Sequence, residues 1–416
     1  MNWLLNRLES FGSKTACIEA GKVWTFKEFL SAIETAKLNL GRGRVVTIET
    51  ASTVEGLAQL IAIADTNRIA LPLPPSLPDT ERKRMRGIAQ NSPLYDKLSG
   101  SGLILFSSGT SGEPKGMLHK LSALLNRFEP LPTRKDRTLQ LLLIDHIGGL
   151  DAAFRCLFSG STLIIPEART PEDAGRAIET HKVNILPASP TFLNLMLMNS
   201  MHEHYDCSSV EIIAYGAEAM PAPLLQRLRA SFPNADLQQK FGTSETGAVR
   251  IESQGSESLF FRIKDPDTEW KIIEDELWLK TPSRIIGYLN ADESSLEADG
   301  WYRTGDLVEE GPNGSIRIIG RQSATINVGG QKVHPSEVEA VLLNVDGIDA
   351  CHVYGEPDPI TGQRVACRIF SSEEKDSLAW KRAIRNHCRG KLAPWKIPSN
   401  VTIGDQLSVN TRMKRD

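Results

Sequence analysis

Leu103-Ile104-Leu105-Phe106-Ser107-Ser108-Gly109-Thr110-Ser111-Gly112-Glu113-Pro114-Lys115-Gly116 sets a run of four apolar residues directly before a run of hydroxyls and glycines. The apolar run reads as a buried strand, and the hydroxyl-glycine run reads as the loop at its end. Small residues let backbone N–H groups approach an anion, hydroxyls add donors, and Lys115 adds a charge. A plain surface turn is the bland alternative, but it has no need of four hydroxyls and a closing Pro-Lys-Gly. The Walker A loop requires Gly-Lys-Ser/Thr, and Lys115 is flanked instead by Pro114 and Gly116. The stretch therefore predicts a phosphate-binding loop of another kind.

Outward from that loop, short apolar strands alternate with helical patterns through the first 250 residues, which is how parallel sheets covered by helices are built. Strands are expected over 45–48, 69–73, 103–106, 139–144, 162–165, 184–186 and 211–214. Thr25 and Glu28 form a capping box for a helix over 25–40, Ser52 and Glu55 repeat the device, and Thr170 caps a helix over 171–181 that opens on Pro171. From about 259 the texture changes to strands over 259–263, 270–273 and 276–280, with an Asn313-Gly314 turn joining 307–308 to 316–319. Beyond Gly320 come a Gly329-Gly330 turn, a helix over 336–343, a strand over 352–354 and a helix over 378–388. The predicted organisation is α/β, with a first domain over 1–320 that ends in a β-rich part and a small α+β domain over 321–416.

A chain of 416 residues favours two or three domains. Its 48 Lys and Arg against 51 Asp and Glu leave a net charge of −3, which excludes a strongly basic nucleic-acid binder. Cys17, Cys156, Cys207, Cys351, Cys367 and Cys388 are scattered, with no C-x-x-C pair, so neither a zinc site nor a disulfide framework is expected and a reducing cytoplasm fits. No apolar run is long enough to span a bilayer, and Arg7 and Glu9 interrupt the start where a secretion signal needs an unbroken apolar stretch, so neither membrane attachment nor export is expected.

The loop resembles the signature of the adenylate-forming superfamily, the acyl-CoA synthetases, adenylation domains and luciferases. Further stretches match that family in order: Ala214-Tyr215-Gly216-Ala217-Glu218, Phe241-Gly242-Thr243-Ser244-Glu245 and Tyr302-Arg303-Thr304-Gly305-Asp306-Leu307. Gly320-Arg321 comes next, and then Ile326 to Val333 and Pro335 to Glu339 resemble the crossover into the family's C-terminal domain. The resemblance implies a large N-terminal domain of layered α/β subdomains with a small β-rich subdomain, and a small mobile α+β lid. It also implies a chemistry: a carboxylate attacks the α-phosphate of ATP, pyrophosphate leaves, and a thiol then displaces AMP from the acyl adenylate.

Residue by residue, the resemblance places Ser107, Ser108, Gly109, Thr110, Ser111, Gly112 and Lys115 on the polyphosphate, and Glu245 on Mg2+. Gly216, Ala217, Glu218, Phe241, Gly242 and Thr243 would surround the base, with Ser244 on the α-phosphate. Asp306 would hold the ribose with Arg321 beside it. His146, in the H-x-x-G element, would gate the acid's carboxylate, in a pocket with Gly148, Ala188, Ser189, Tyr215, Gly216, Thr243 and Val249. No lysine or arginine stands in this set. Ile147 replaces the Asp by which amino-acid-activating domains hold an ammonium, so an α-amino acid is disfavoured. His119 reads as structural.

The match departs at the C-terminal lysine, where Arg412 stands in one register and Lys414 in another, and the sequence leaves both open. By the same resemblance Ser323 would occupy the hinge position, and the Gly329-Gly330 turn would belong to the face that meets the thiol. The segment before the loop is short for the family, which predicts a trimmed sheet and an acid pocket covered in a homodimer. The expected activity is an acid–thiol ligase on an aryl or short to medium acyl acid, with coenzyme A or the phosphopantetheine of an acyl carrier protein as acceptor. Adenylation feeding amide formation or another acceptor, and a degenerate ATP-binding relative, are the alternatives. The basic residues Arg382, Arg385, Arg389 and Lys391 read first as a solvated helix face.

Overall fold

A computed structural model describes residues 2–49, 52–108, 113–373 and 375–404. The expected loop residues Gly109, Thr110, Ser111 and Gly112 and the C-terminal pair Arg412 and Lys414 lie outside the described residues, and Ser108 is described by its backbone alone.

Two α/β sheets form the body. The larger runs Asp236–Gln239, Ile212–Tyr215, Ile185–Ala188, Arg137–Leu139, Thr162–Ile165, Thr15–Glu19 and Lys22–Thr25, parallel except for its last pair. The smaller runs Val45–Ile48, Ile69–Pro72, Gly102–Ser108, Pro114–Lys120 and Gly287–Tyr288. Its first three strands are parallel and its last two antiparallel. The helix Phe26–Asn39 starts at the expected capping box, with Thr25 Oγ1 accepting from Glu28 N at 3.2 Å and Glu28 Oε2 accepting from Thr25 N at 2.7 Å. Helix Pro171–His181 is capped by Thr170. These helices bury Phe26, Phe29, Ile33, Ala174 and Ile178 against the sheets.

A six-stranded antiparallel sheet comes next, in the order Ile251–Ser253, Phe261–Ile263, Ile316–Arg321, Tyr302–Glu310, Glu276–Lys280 and Glu269–Ile273. Asn313 and Gly314, at φ +58° and +70°, turn the chain between two of its strands. The C-terminal part has its own sheet of Gln331–Val333, Ile326–Val328, Gly362–Phe370 and Ala350–Asp358, joined by Asn400–Ile403. Helices Pro335–Leu342 and Ser377–Cys388 cover it, enclosing a separate core around Trp380, Val338 and Leu342. Gly329 and Gly330 both take positive φ in the two-residue turn between its first strands.

Two local expectations fail for one shared reason. The strand predicted over 139–144 stops at Leu139, and the helix predicted to start at Ser52 is capped instead by Thr53, which accepts from Gly56 N at 3.1 Å. Ser52 is buried and accepts from Ile144 N at 3.2 Å, while the Gln140 side chain donates to the carbonyls of Leu142 and Gly149. Side chains thus satisfy the backbone of this apolar segment, which then needs no neighbouring strand.

His119 sits opposite Leu103 in the antiparallel pair that carries the loop, and is 1% exposed. Burial pushes its imidazole down to about 4, opposed in part by the backbone of Ser283 and Ser244. The unfolded chain takes up a proton near pH 6.5 that the folded chain refuses until about pH 4, so stability is full above this window and falls as pH drops through it. The loss amounts to about 3 kcal/mol at most. Urea unfolding between pH 4.5 and 7.5 should show this slope in the wild type and a flatter one in His119→Asn.

Candidate functional site

The strands on either side of the predicted loop pair with each other. Ser108 pairs with Pro114, Ser107 with Lys115 and Leu103 with His119, so the chain returns antiparallel rather than entering a helix as a Walker A loop does. The returning strand is held on its far side by residues that the sequence analysis did not select. Ile286 N donates to Leu118 O at 2.7 Å and Leu289 N to Gly116 O at 2.8 Å. Asn290 accepts from Gly116 N at 2.9 Å and donates to Pro114 O at 3.0 Å. Lys115 is half-buried beside this clasp.

Glu245 stands at the tip of a second hairpin, formed by Phe241–Thr243 and Gly247–Val249. The buried Thr243 hydroxyl accepts from Glu245 N at 3.2 Å and Thr246 N at 3.1 Å and lies 3.0 Å from Thr246 Oγ1, so the tip is organised from within. Thr246, wholly buried, was not selected from sequence. A side chain at Gly242 would meet Gly247 O at 2.4 Å, which explains the glycine. The Phe241 ring packs on Phe261 at 5.5 Å between centroids.

The same short segment reaches both hairpins. Ile285 N donates to Glu245 O at 2.7 Å, and the Tyr288 hydroxyl donates to Glu245 Oε1 at 3.0 Å. Tyr302 is buried and faces the same carboxylate. Burial first, and then the negative charge of Glu245, raises both phenols above their ordinary range. Four residues along the Tyr302 strand, Asp306 is 5% exposed and lies opposite Arg321 in the ladder, with Arg321 Nε 2.9 Å from its Oδ1. Burial raises the Asp306 carboxyl against the opposing pull of Arg321, whose own guanidinium is held charged by Asp306. A carboxylate with one arginine beside it and further acceptor positions suits a pair of hydroxyls.

Ala217, Glu218, Phe241, Gly242, Asp306 and Arg321 line one cleft of about 770 Å³, whose other wall is the C-terminal part. Ala217 takes a left-handed φ of +69°, and a side chain at Gly216 would meet Lys240 O at 2.7 Å. Glu218 Oε2 accepts from Thr191 N at 3.1 Å and from the Thr191 hydroxyl at 2.7 Å, so it also steadies the helix Pro190–Met198. Across the cleft, Asn194 donates to Asp349 O at 3.2 Å.

Lys115, Glu245 and the acid-pocket residues stand outside that cleft's lining. His146 is the N-cap residue of helix Ile147–Phe158, with its Nε2 3.4 Å from Asp145 Oδ2. Gly148 and Gly149 lead this helix, and a side chain at Gly149 would fall 2.0 Å from Leu143 O. Ala188, Ser189 and Tyr215 are buried, Ser189 as the cap of its helix and Tyr215 opposite Ala188 in the larger sheet. Val249 is buried at the end of the Glu245 hairpin.

One polar feature beside this set was not found from sequence. A small cavity of about 20 Å³ is lined by Ile147, Leu150, Ala248, Arg127 and Asp151. Asp151 lies 3.4 Å from Arg155 and 3.9 Å from Arg127. Burial pushes the Asp151 carboxyl up, and Arg155, Arg127 and Lys240 together outweigh it to leave it below its ordinary range. The spacing Ile147, Leu150, Asp151, Phe154 is a helix face, so one polar residue in an apolar stripe was the available signal.

Among the described residues no group of three His, Cys, Asp or Glu could hold a metal. A single carboxylate fits a hard cation that takes its other oxygens from phosphates and water, which is the habit of Mg2+.

Fold and site together define a mixed α/β protein in which a small C-terminal part closes one side of the cleft that holds Asp306 and Arg321. A family model described as AMP-binding enzyme matches residues 101–288, and one described as AMP-binding enzyme C-terminal domain matches 337–414. A substituted propanoyl:CoA ligase of Mycobacterium tuberculosis is 31% identical over 326 residues, 75% of this chain and 64% of that protein. A 2-succinylbenzoate–CoA ligase of Bacillus velezensis is 30% identical over 348 residues, 77% of this chain and 68% of that protein. The crystal structure of the anthranilate CoA ligase AuaEII with anthranoyl-AMP shares the fold, with a TM-score of 0.80 at 20% identity over 99% of this chain and 95% of the other. The chain belongs to the AMP-binding enzyme family, within the adenylate-forming superfamily that its motifs resemble.

Replacing Asn290 by Ala removes both side-chain bonds to the returning strand. The expected cost is about 1–3 kcal/mol in chemical denaturation, with faster hydrogen exchange at the Gly116 amide than in the wild type.

Proposed function

We propose that this chain activates a carboxylic acid with ATP, releasing pyrophosphate, and passes the acyl group from AMP to the thiol of coenzyme A or of a carrier's phosphopantetheine. The observation that carries the reading is that Tyr288 and Tyr302 both bond to the Glu245 carboxylate, while the Tyr302 strand also carries Asp306, paired with Arg321 whose charge acts on the Tyr302 phenol. It joins a residue suited to a metal-bound polyphosphate to one suited to a ribose. Asp306 accepts the ribose hydroxyls, Phe241 and Ala217 border the base, and the hydroxyl-glycine hairpin with Lys115 receives the phosphates. Mg2+, held by Glu245, supplies charge neutralisation on the phosphate oxygens. The acid's carboxylate oxygen bonds to the α-phosphorus as the bond to pyrophosphate breaks. The thiol sulfur then bonds to the carbonyl carbon, and AMP leaves with that oxygen. Rotation about Arg321 to Ser323 would exchange the C-terminal segment bearing Arg412 and Lys414 for the face with the Gly329-Gly330 turn.

For the acid we propose an aryl compound, in keeping with the 2-succinylbenzoate and anthranilate of the relatives' names. Arg127 and Arg155 against the single Asp151 leave positive charge beside the acid pocket, which favours a second, distal carboxylate. The described residues contain no helix long and apolar enough to cross a membrane, and the six cysteines are buried and form no disulfide, in keeping with work in the cytoplasm.

Acid-dependent exchange of labelled pyrophosphate into ATP, without thiol, tests the reading. Exchange with aryl acids, abolished in Asp306→Ala, is the expected result. Exchange with α-amino acids alone, or silence across aryl, fatty and amino acids, would contradict it. If the second carboxylate is right, Arg155→Met or Arg127→Met raises KM for an aryl diacid about tenfold or more and leaves an aryl monoacid within about twofold.

A further inference from the structure

The segment 285–290 belongs to no motif selected from the sequence, yet it touches both halves of the polyphosphate site. Its backbone pairs with the strand returning from the hydroxyl-glycine hairpin, Tyr288 opposite Met117 and Gly287 opposite Leu118. Its first residue, Ile285, bonds to the backbone carbonyl of Glu245, and its Tyr288 hydroxyl turns back to the Glu245 side chain at 3.0 Å. Glu245 is therefore fixed at two points, main chain and carboxylate, by a strand that is itself registered on the phosphate hairpin. A carboxylate at a hairpin tip has free rotors between backbone and oxygen, and a single metal-binding carboxylate gains nothing from neighbouring ligands to orient it.

We propose that Tyr288 is a positioning residue for the metal: its hydroxyl holds the Glu245 carboxylate in the orientation that binds Mg2+ on the ATP phosphates, with Tyr302 as the second support. The proposal rests on the reading of Glu245 as metal ligand. The phenol donates to Oε1, which leaves the remaining lone pairs of the carboxylate for the cation. The Ser295 hydroxyl also lies 3.5 Å from the Tyr288 oxygen. Because the same segment carries Asn290 to Pro114 and Gly116, the distance between metal and phosphate loop is set by one short piece of chain. Partners of this kind orient a ligand without touching the metal, and their loss typically weakens metal affinity by about ten- to a hundredfold.

The test is Mn2+ binding followed by electron paramagnetic resonance, with a non-hydrolysable ATP analogue, beside AMP binding measured in EDTA. In Tyr288→Phe the Mn2+ dissociation constant should rise about tenfold or more while AMP affinity stays within about twofold, and Glu245→Gln should raise it at least as far. Unchanged Mn2+ affinity in Tyr288→Phe would overturn the proposal. So would an equal loss of AMP affinity, because that is what general damage to the fold produces. Should Tyr288→Phe lose its cooperative thermal transition, Tyr302→Phe carries the same comparison. A wild type that binds AMP but no Mn2+ would overturn the metal role of Glu245 and this proposal with it, while leaving the base and ribose site standing.

Discussion

The backbone bonds made by residues 285–289, to Glu245 at one end and to Leu118 and Gly116 at the other, are the constraint on which the site depends. They join two hairpins that are distant in sequence and belong to different sheets. A strand of two residues is held by few bonds, each worth about 1 kcal/mol net. The Asn290 and Tyr288 side chains reinforce it from either side. The position of the strand pair 102–108 and 114–120 relative to the Glu245 carboxylate is thus a property of tertiary structure and of no single motif.

Close approach is the second constraint. Gly149, Gly216 and Gly242 each stand where a side chain would meet a backbone carbonyl at 2.0, 2.7 and 2.4 Å. Two of these glycines let the chain pass close to Lys240 and Gly247, and the third seats the helix behind His146 against the apolar loop after Leu139. The site is therefore built from packed backbone, and its few polar side chains can be placed with little freedom. Asp306 shows the consequence: its burial is tolerated because Arg321 stands opposite in the next strand.

Where local hydrogen bonds decide the structure, the sequence was a reliable guide. The capping box of Thr25 and Glu28, the Thr170 cap before Pro171 and the Asn313-Gly314 turn all use partners within four residues. Ser52 misled because it has the chemistry of a cap but spends its hydroxyl on Ile144, a partner visible only in the folded chain. The same limit hid Tyr288, Asn290 and the Arg127–Asp151–Arg155 cluster, whose partners lie on other elements. The Asp306 and Arg321 pair was legible through its resemblance to known motifs, while its physical basis, opposition in an antiparallel ladder, came from the fold.

The central claim is that the acid is activated on the α-phosphate, and isotope transfer tests it most directly. The protein would turn over an aryl acid labelled with oxygen-18 in both carboxylate oxygens, with ATP, Mg2+ and coenzyme A, and the products would be weighed by mass spectrometry. The account predicts one labelled oxygen in AMP for each thioester formed, because that oxygen stays on phosphorus when the thiol takes the acyl group. Label in inorganic phosphate, with ADP as the nucleotide product, would mean activation at the γ-phosphate and would contradict it.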